Sequence, residues 1–408
     1  MDTRCARPDV SSGSSGIPSG IPSAVSPASC GTQRPVVTEL RLSAFKSHRN
    51  ATFALGPLTL FRGPSGSGKS SALQAYEVLA RLAGGDALEE ALSLVDGGPG
   101  ACVPQQARPD AQGRRGFRIG CTVEGPVGPV QVDVAVQAEP ELRIVGERMT
   151  GCGRTLLSTA LRDPGRRAVE AAWHTAGAVP VTRAPLPDDR LGTALLPLRV
   201  AGKTAGQRLV LDAAEQVVVA LRAVFACDPR PELMRMPAAA HDGLLRGACD
   251  NVAAVLDRTR HECATRHMAL VAAVDAGCRV PVGELAVREA GSGLVQAVLE
   301  RKPGDGTPLE RLGDGELRYL ALCLVLMTGP GVLDMDPVGE VLQARQALTV
   351  LADDFDRCLD ARQARELTAL AVRMGERGHV RLVGAVRGTG DGDAPAEGVS
   401  VVDLGGEC

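Results

Sequence analysis

Apolar and polar positions alternate from Val36 to Leu42, the period of two that marks a half-buried strand. A second short strand is predicted over residues 51–55. The run Leu58-Thr59-Leu60-Phe61 predicts a buried strand, followed by a Gly-rich turn and a helix from about Ser70 to Ala83, with Gly84-Gly85 as its stop. Between 117 and 149 the period of two returns in three stretches punctuated by Gly and Pro, which predicts a strand meander. Residues 160–205 are rich in Pro and sustain no period. From 207 to 276 the pattern is helical, with Val217, Leu221, Val224 and Phe225 on one face and Val252, Val255, Leu256 and Thr259 on another. No heptad seam follows, so long coiled-coil arms are not expected. Residues 294–404 alternate strand and helix and end in a short strand.

Residues 11–30 hold eight Ser, three Gly and three Pro, so residues 1–33 are expected to be a disordered tail. Residues 34–408 are then one unit, with 206–300 as a helical insertion lobe.

Composition narrows the function. The chain has 408 residues, 44% hydrophobic and 23% charged, within the range of globular proteins. A net charge of −3 argues against coating nucleic acid through an overall field, and 2% aromatics argue against base-stacking platforms. The twelve cysteines include no C-x-x-C, which removes support for zinc ribbons and thioredoxin-type chemistry. The first residues lack an apolar signal core, and the longest apolar stretch, Leu317 to Leu326, is about half a membrane span and carries Arg318. Reduced thiols, a cytoplasmic location and no membrane partner are the expectations.

The chemistry-bearing motif is Gly63-Pro64-Ser65-Gly66-Ser67-Gly68-Lys69-Ser70, which fits G-x-x-x-x-G-K-[ST] between a predicted strand and a predicted helix. Backbone N–H groups of such a loop cradle a β-phosphate, the Lys69 ammonium bridges β- and γ-oxygens, and the Ser70 hydroxyl ligates Mg²⁺; Ser71 follows on the helix. The chain has only four lysines, and one stands here. Gly202-Lys203-Thr204 mimics the motif's end but has Pro197 in place of its first glycine. Leu348 to Ala352 is an apolar run ending in Asp353-Asp354. In phosphate-loop enzymes an acid at the end of a neighbouring strand holds Mg²⁺, the role expected of Asp353. The next acid polarises the attacking water, the role expected of Asp354.

With these residues in view, the order of elements resembles the ATPase head shared by ABC, SMC and RecF-type proteins, in particular short RecF-like AAA heads without coiled coils. Leu42 to His48 resembles the strand and turn that open such heads. Leu312-Gly313-Asp314-Gly315-Glu316 resembles the L-S-x-G-[EQ] signature, and Asp353-Asp354-Phe355-Asp356 the extended Walker B motif. The resemblance implies an α/β P-loop NTPase fold of ABC/SMC-head type, a mixed sheet with an antiparallel β lobe and a helical lobe carrying the signature. It implies ATP and Mg²⁺ as cofactors, an ATP-dependent homodimer in which the signature completes the other copy's site, and DNA or a partner effector protein as what the heads act on. DNA repair or phage defence follows from the family alone.

This sequence departs from the family pattern at three places. Gly313 stands where Ser is usual, Asp354 replaces Glu, and the switch His expected after the strand near Val380 to Val386 is absent, the sequence there offering only Ala385, Val386 and Arg387. Gln105 is the candidate Q-loop residue, with Gln137 as its rival. Arg108, Arg114, Arg115 and Arg118 read as an ion-paired or solvated face, or as phosphate or nucleic-acid contacts. The alternatives to a dimerising ATPase are a nucleotide-binding scaffold with little turnover and, ranked lower, a transporter-type subunit. A GTPase is disfavoured because no N-K-x-D occurs.

Overall fold

The computed structural model describes residues 34–95, 97–301, 306–335, 341–342, 345–387 and 397–405. The tail expected over 1–33 lies outside these residues, and Gln33–Cys408 form one contact unit. In chain order the elements are β1 (Val36–Phe45), β2 (His48–Ala54), β3 (Leu58–Gly63), α1 (Lys69–Gly84), α2 (Leu88–Leu92), α3 (Gly98–Ala101), β4 (Arg115–Glu124), β5 (Val130–Glu139), β6 (Arg143–Gly151), β7 (Arg154–Ala160), β8 (Ala168–His174) and β9 (Val181–Pro187). They continue as α4 (Gly192–Arg199), α5 (Ala205–Arg222), β10 (Val224–Ala226), α6 (Pro231–Met234), β11 (Ala238–Ala239), α7 (Val252–Glu262), α8 (Ala264–Gly277), β12 (Val282–Gly291), β13 (Leu294–Arg301) and β14 (Thr307–Pro308). The last are α9 (Asp314–Met327), β15 (Leu348–Ala352), α10 (Ala361–Glu376), β16 (Val380–Arg387) and β17 (Ser400–Asp403).

Two large sheets share this set. The eight-stranded antiparallel sheet runs β2-β1-β4-β5-β6-β7-β8-β9. Its inner face, with Phe117, Ile119, Val132 and Val134, joins α1 and α5 in one apolar core. Its other face carries Arg41, Arg118 and Asp133, the alternation of a sheet wetted on one side. The five-stranded sheet runs β10-β15-β16-β3-β17 with every pairing parallel. Being buried on both faces, it sends Phe61, Leu351, Val383 and Ala385 to the first core. It sends Leu58, Leu348, Val350 and Leu382 to a second core with α9 and α10. That is why these strands read as unbroken apolar runs. Half-buried Arg381 on β16 ties the two sheets together, donating to the carbonyl oxygens of Val37, Leu55 and Gly56 at 3.2, 2.8 and 2.9 Å. Burial holds its pKa below the usual arginine value.

One expectation is corrected. Residues 206–300 do not form a helical lobe. Helix α5 belongs to the first core, β10 joins the parallel sheet, and residues 282–301 are the β12–β13 hairpin, which packs with α7 and α8. The helical period is real, but its apolar faces point into two different cores. The stretch 160–205, which shows no period, holds β8, β9 and α4; β9 is the outermost strand of its sheet and buries only Leu186 fully, so little enforces apolar alternation there.

Candidate functional site

The sharp turn out of β3 is possible because Gly66 and Gly68 take left-handed dihedrals, φ 84° and 96°. Gly68 stands just before α1 and offers no side-chain cap, so the first amides of that helix are left without a capping side chain, an arrangement open to an anion. A Cβ at Gly68 would lie 2.5 Å from Ser47 Oγ and 2.6 Å from His48 Nε2, so the β1–β2 turn presses on the loop from behind. His48 Nε2 stands 2.9 Å from the Gly68 carbonyl oxygen. Lys69 Nζ donates to Gly63 O at 2.6 Å and Pro64 O at 2.9 Å, folded back over its own loop. The Ser67 hydroxyl is buried beneath the loop without a partner.

A cavity of ≈ 680 Å³ opens over this loop. Its walls include Lys46, Lys69, Ser70 and Ser71 together with two residues distant in sequence, Asp354 and Arg387. Strand register brings them together. Parallel pairing sets Ala352 beside Gly384 and Arg387 beside Gly63, so three strands end along one edge. The acid strand is therefore not the immediate neighbour of β3 as expected, because β16 lies between them. Gly384 suits this close packing, since a Cβ there would crowd Leu60 and Phe355 at 3.2 and 3.3 Å.

The two acids face differently. Asp353 Oδ1 accepts from the Asp354 amide at 3.0 Å, while Asp354 lines the cavity. Asp354 takes φ 48°, a left-handed conformation that Asp tolerates. From beneath, Arg318 of α9, 1% exposed, donates to the Asp354 carbonyl oxygen at 3.0 Å and pairs with Asp228 at 3.0 Å. Arg387 pairs with the Asp354 carboxylate at 3.2 Å, and that hydrogen bond raises the guanidinium pKa above its ordinary value.

Residues 312–316 lie apart from this cavity. Gly313 precedes α9, and nothing lies within 4 Å of where its Cβ would stand. Arg235 clamps the turn, donating to Leu312 O at 2.9 Å and Asp314 Oδ1 at 2.6 Å, and Glu316 pairs with Arg301 at 2.6 Å. Gly315 is required for packing: a Cβ there would come 2.3 Å from the Cys358 carbonyl oxygen, in the segment that follows the acid pair. Gly315→Ala is expected to cost about 1–3 kcal/mol by overpacking. Equilibrium urea unfolding checks this, and an unshifted midpoint would show the contact to be slack.

Gln105 stands outside the phosphate cavity, on an adjoining one of ≈ 770 Å³ that shares Lys46 and Ser47. Its rival Gln137 is a β5 residue bonded to Glu141 O at 3.0 Å. Of the arginine run, Arg114 pairs with Asp110 at 2.8 Å and Arg115 with Glu139 at 2.9 Å, the ion-paired face. Sequence reasoning missed the clamp by Arg235, the tie through Arg318 and the pairing of Arg387 with Asp354. Each joins residues far apart in the chain, and only the empty switch-His position pointed toward the last.

No helix among the described residues is long and apolar enough to cross a membrane. No protein-family model and no curated protein matches the sequence. Among solved structures the chain is similar to an SMC head bound to the C-winged helix domain of ScpA, at 12% identity and a TM-score of 0.47, covering 86% of this chain and 90% of that one. It is similar to an SMC head domain from Thermotoga maritima at 13% identity and a TM-score of 0.39, over 86% and 89%. A third is the SMC head with an extended coiled coil bound to the C-terminal domain of ScpA derived from Pyrococcus furiosus, at 12% and 0.43, over 86% and 90%. By its own strand order and turn geometry the chain is a mixed α/β protein built around a strand–loop–helix of the phosphate-loop kind.

Proposed function

We propose that this chain is a Mg²⁺-dependent ATPase of the SMC/RecF type, whose heads pair on ATP and act on DNA or on a partner protein. One observation carries the reading: the glycine loop, an uncapped helix N-terminus, Lys69 and the Asp354 carboxylate converge on a single cavity. A triphosphate fits this chemistry, with amides and ammonium for its oxygens and an acid beyond them.

The metal fits as well. Mg²⁺ keeps most of its waters and takes only one or two protein oxygens beside phosphate oxygens; Ser70 on the cavity wall would supply one, while Asp353 is not among the lining residues and would reach the ion through a water. Bound there, it would neutralise charge on the phosphates. Lys69 holds and orients the phosphates, and the loop amides do the same from the other side. In hydrolysis a water oxygen bonds to the terminal phosphorus as the bond from that phosphorus to the β–γ bridging oxygen breaks. ADP leaves with the electron pair, and Asp354 takes up the water's proton.

Pairing of heads is supported by the signature turn. Its helix N-terminus is open at Gly313 and lies outside its own chain's phosphate cavity, as a half-site for a second copy's nucleotide requires. Light scattering on the full chain tests this. With a non-hydrolysable ATP analogue and Mg²⁺ the mass is expected to double, and with ADP to stay monomeric. A monomer at a saturating triphosphate concentration would remove the dimer from the reading and leave the ATPase. A low-turnover scaffold is favoured by one observation, the Arg387 guanidinium lying on the carboxylate that must act as base.

A further inference from the structure

Three cations line the phosphate cavity, Lys46, Lys69 and Arg387; Lys46 is bonded to the Gln74 side chain, and the other two are held by contacts at the cavity itself that a nucleotide would replace. Lys69 rests on two loop carbonyls, and Arg387 rests on Asp354. Arg387 is not a loosely placed surface residue. Its backbone amide donates to both carboxylate oxygens of Asp356 at 3.1 Å, and its strand register fixes it beside Gly63, where the phosphate loop begins. The backbone is therefore anchored while the side chain, 61% exposed, is free to turn about its own bonds. Asp354 is arranged in the same way, with its carbonyl gripped by buried Arg318 and its carboxylate left to the cavity.

We propose that Arg387 is a terminal-phosphate latch: without a γ-phosphate it neutralises Asp354, and with one its guanidinium transfers to the phosphate oxygens and uncovers the carboxylate. The proposal rests on the ATP reading of the cavity. An ion pair this exposed is weak, whereas a guanidinium on a phosphate forms two parallel charge-assisted hydrogen bonds to a more highly charged group. The exchange is thus downhill only when the terminal phosphate is present. Such a latch makes one residue both the discriminator between triphosphate and diphosphate and the guard on the base. It also gives the missing switch His a physical substitute that stays charged at every physiological pH.

The test is the ratio of affinities, not turnover. Fluorescent ADP and a fluorescent non-hydrolysable ATP analogue are titrated with Mg²⁺ into the full-length wild type, Arg387→Ala, Arg387→Gln and Arg387→Lys. Both neutral variants are expected to weaken the triphosphate about 10-fold, equivalent to about 1.4 kcal/mol, and to leave ADP within about 2-fold. Arg387→Lys, which keeps the charge but not the fork, is expected to recover part of the loss. Equal weakening of both nucleotides, or no change in either, overturns the latch while the ATP reading stands. A wild type that binds neither nucleotide overturns both. Thermal unfolding of each variant guards against a trivial loss of fold, and Arg387→Gln keeps the test open if Arg387→Ala is unstable.

Discussion

Lys69→Ala is expected to lower ATP turnover about 100-fold or more and to weaken nucleotide binding with it. The ammonium is the positive side chain that stands within the loop itself, and it spans Gly63 O and Pro64 O. A triphosphate outcompetes those neutral carbonyls, since hydrogen bonds between charged partners contribute about 1.5–3 kcal/mol each. Losing two of them removes about 3 kcal/mol or more from the transition state, and each 1.36 kcal/mol is a factor of ten in rate. The fold is expected to stay intact, because the contacts given up are to carbonyls at the open edge of a cavity. Phosphate release measured against the wild type, with an unfolding curve for each protein, separates the two effects. Turnover equal to wild type in Lys69→Ala would mean that the activity arises elsewhere or comes from a contaminant.

How much of this site the sequence discloses depends on whether its parts are contiguous. The phosphate loop is eight consecutive residues between a strand and a helix, so spacing alone describes it; Gly66 and Gly68 have the left-handed dihedrals that the motif requires. The acid pair was legible for the same reason, as carboxylates ending an apolar run. What was not legible is set by register between distant strands. Nothing near Asp354 in sequence announces Arg387, which lies 33 residues away and reaches it only because β15 and β16 pair in parallel with Ala352 opposite Gly384. The grip of Arg235 on Asp314 spans 79 residues and has no local signature.

Local period also misleads where one element serves two neighbours. Val217 and Leu221 of α5 are buried with the antiparallel sheet, while Val252 and Leu256 of α7 are buried with α9 and the β12–β13 hairpin. Both helices carry an apolar face of the right width, so the pattern merges them into one lobe that the packing separates. The hairpin itself was hidden because β12 and β13 meet with register shifts near both ends, which break the strict alternation of a strand.

Asp354→Asn is expected to produce the opposite split from Lys69→Ala: turnover lower by about 100-fold or more, with triphosphate binding retained or tightened. A positioned general base contributes about 10²–10⁴ in rate, and an amide of the same shape cannot take the water's proton. The substitution should be conformationally quiet. Asn, like Asp, is at home in the left-handed region, so φ 48° at this position is kept. Arg318 holds the backbone carbonyl rather than the side chain, so that bond is kept too. Asn still offers Arg387 an oxygen, but a neutral one, so the guanidinium is released more readily to a bound phosphate, and the cavity loses a negative charge that repels nucleotide. Asp354→Glu keeps a carboxylate on a longer arm and is expected to hold turnover within about tenfold of wild type, a range well short of the loss of a general base. The readouts are single-turnover hydrolysis and titration with fluorescent nucleotide on the same preparations. Wild-type turnover in Asp354→Asn would place the base elsewhere. Loss of binding together with turnover would instead make Asp354 a metal-holding acid and leave Asp353 as the residue to test for proton uptake.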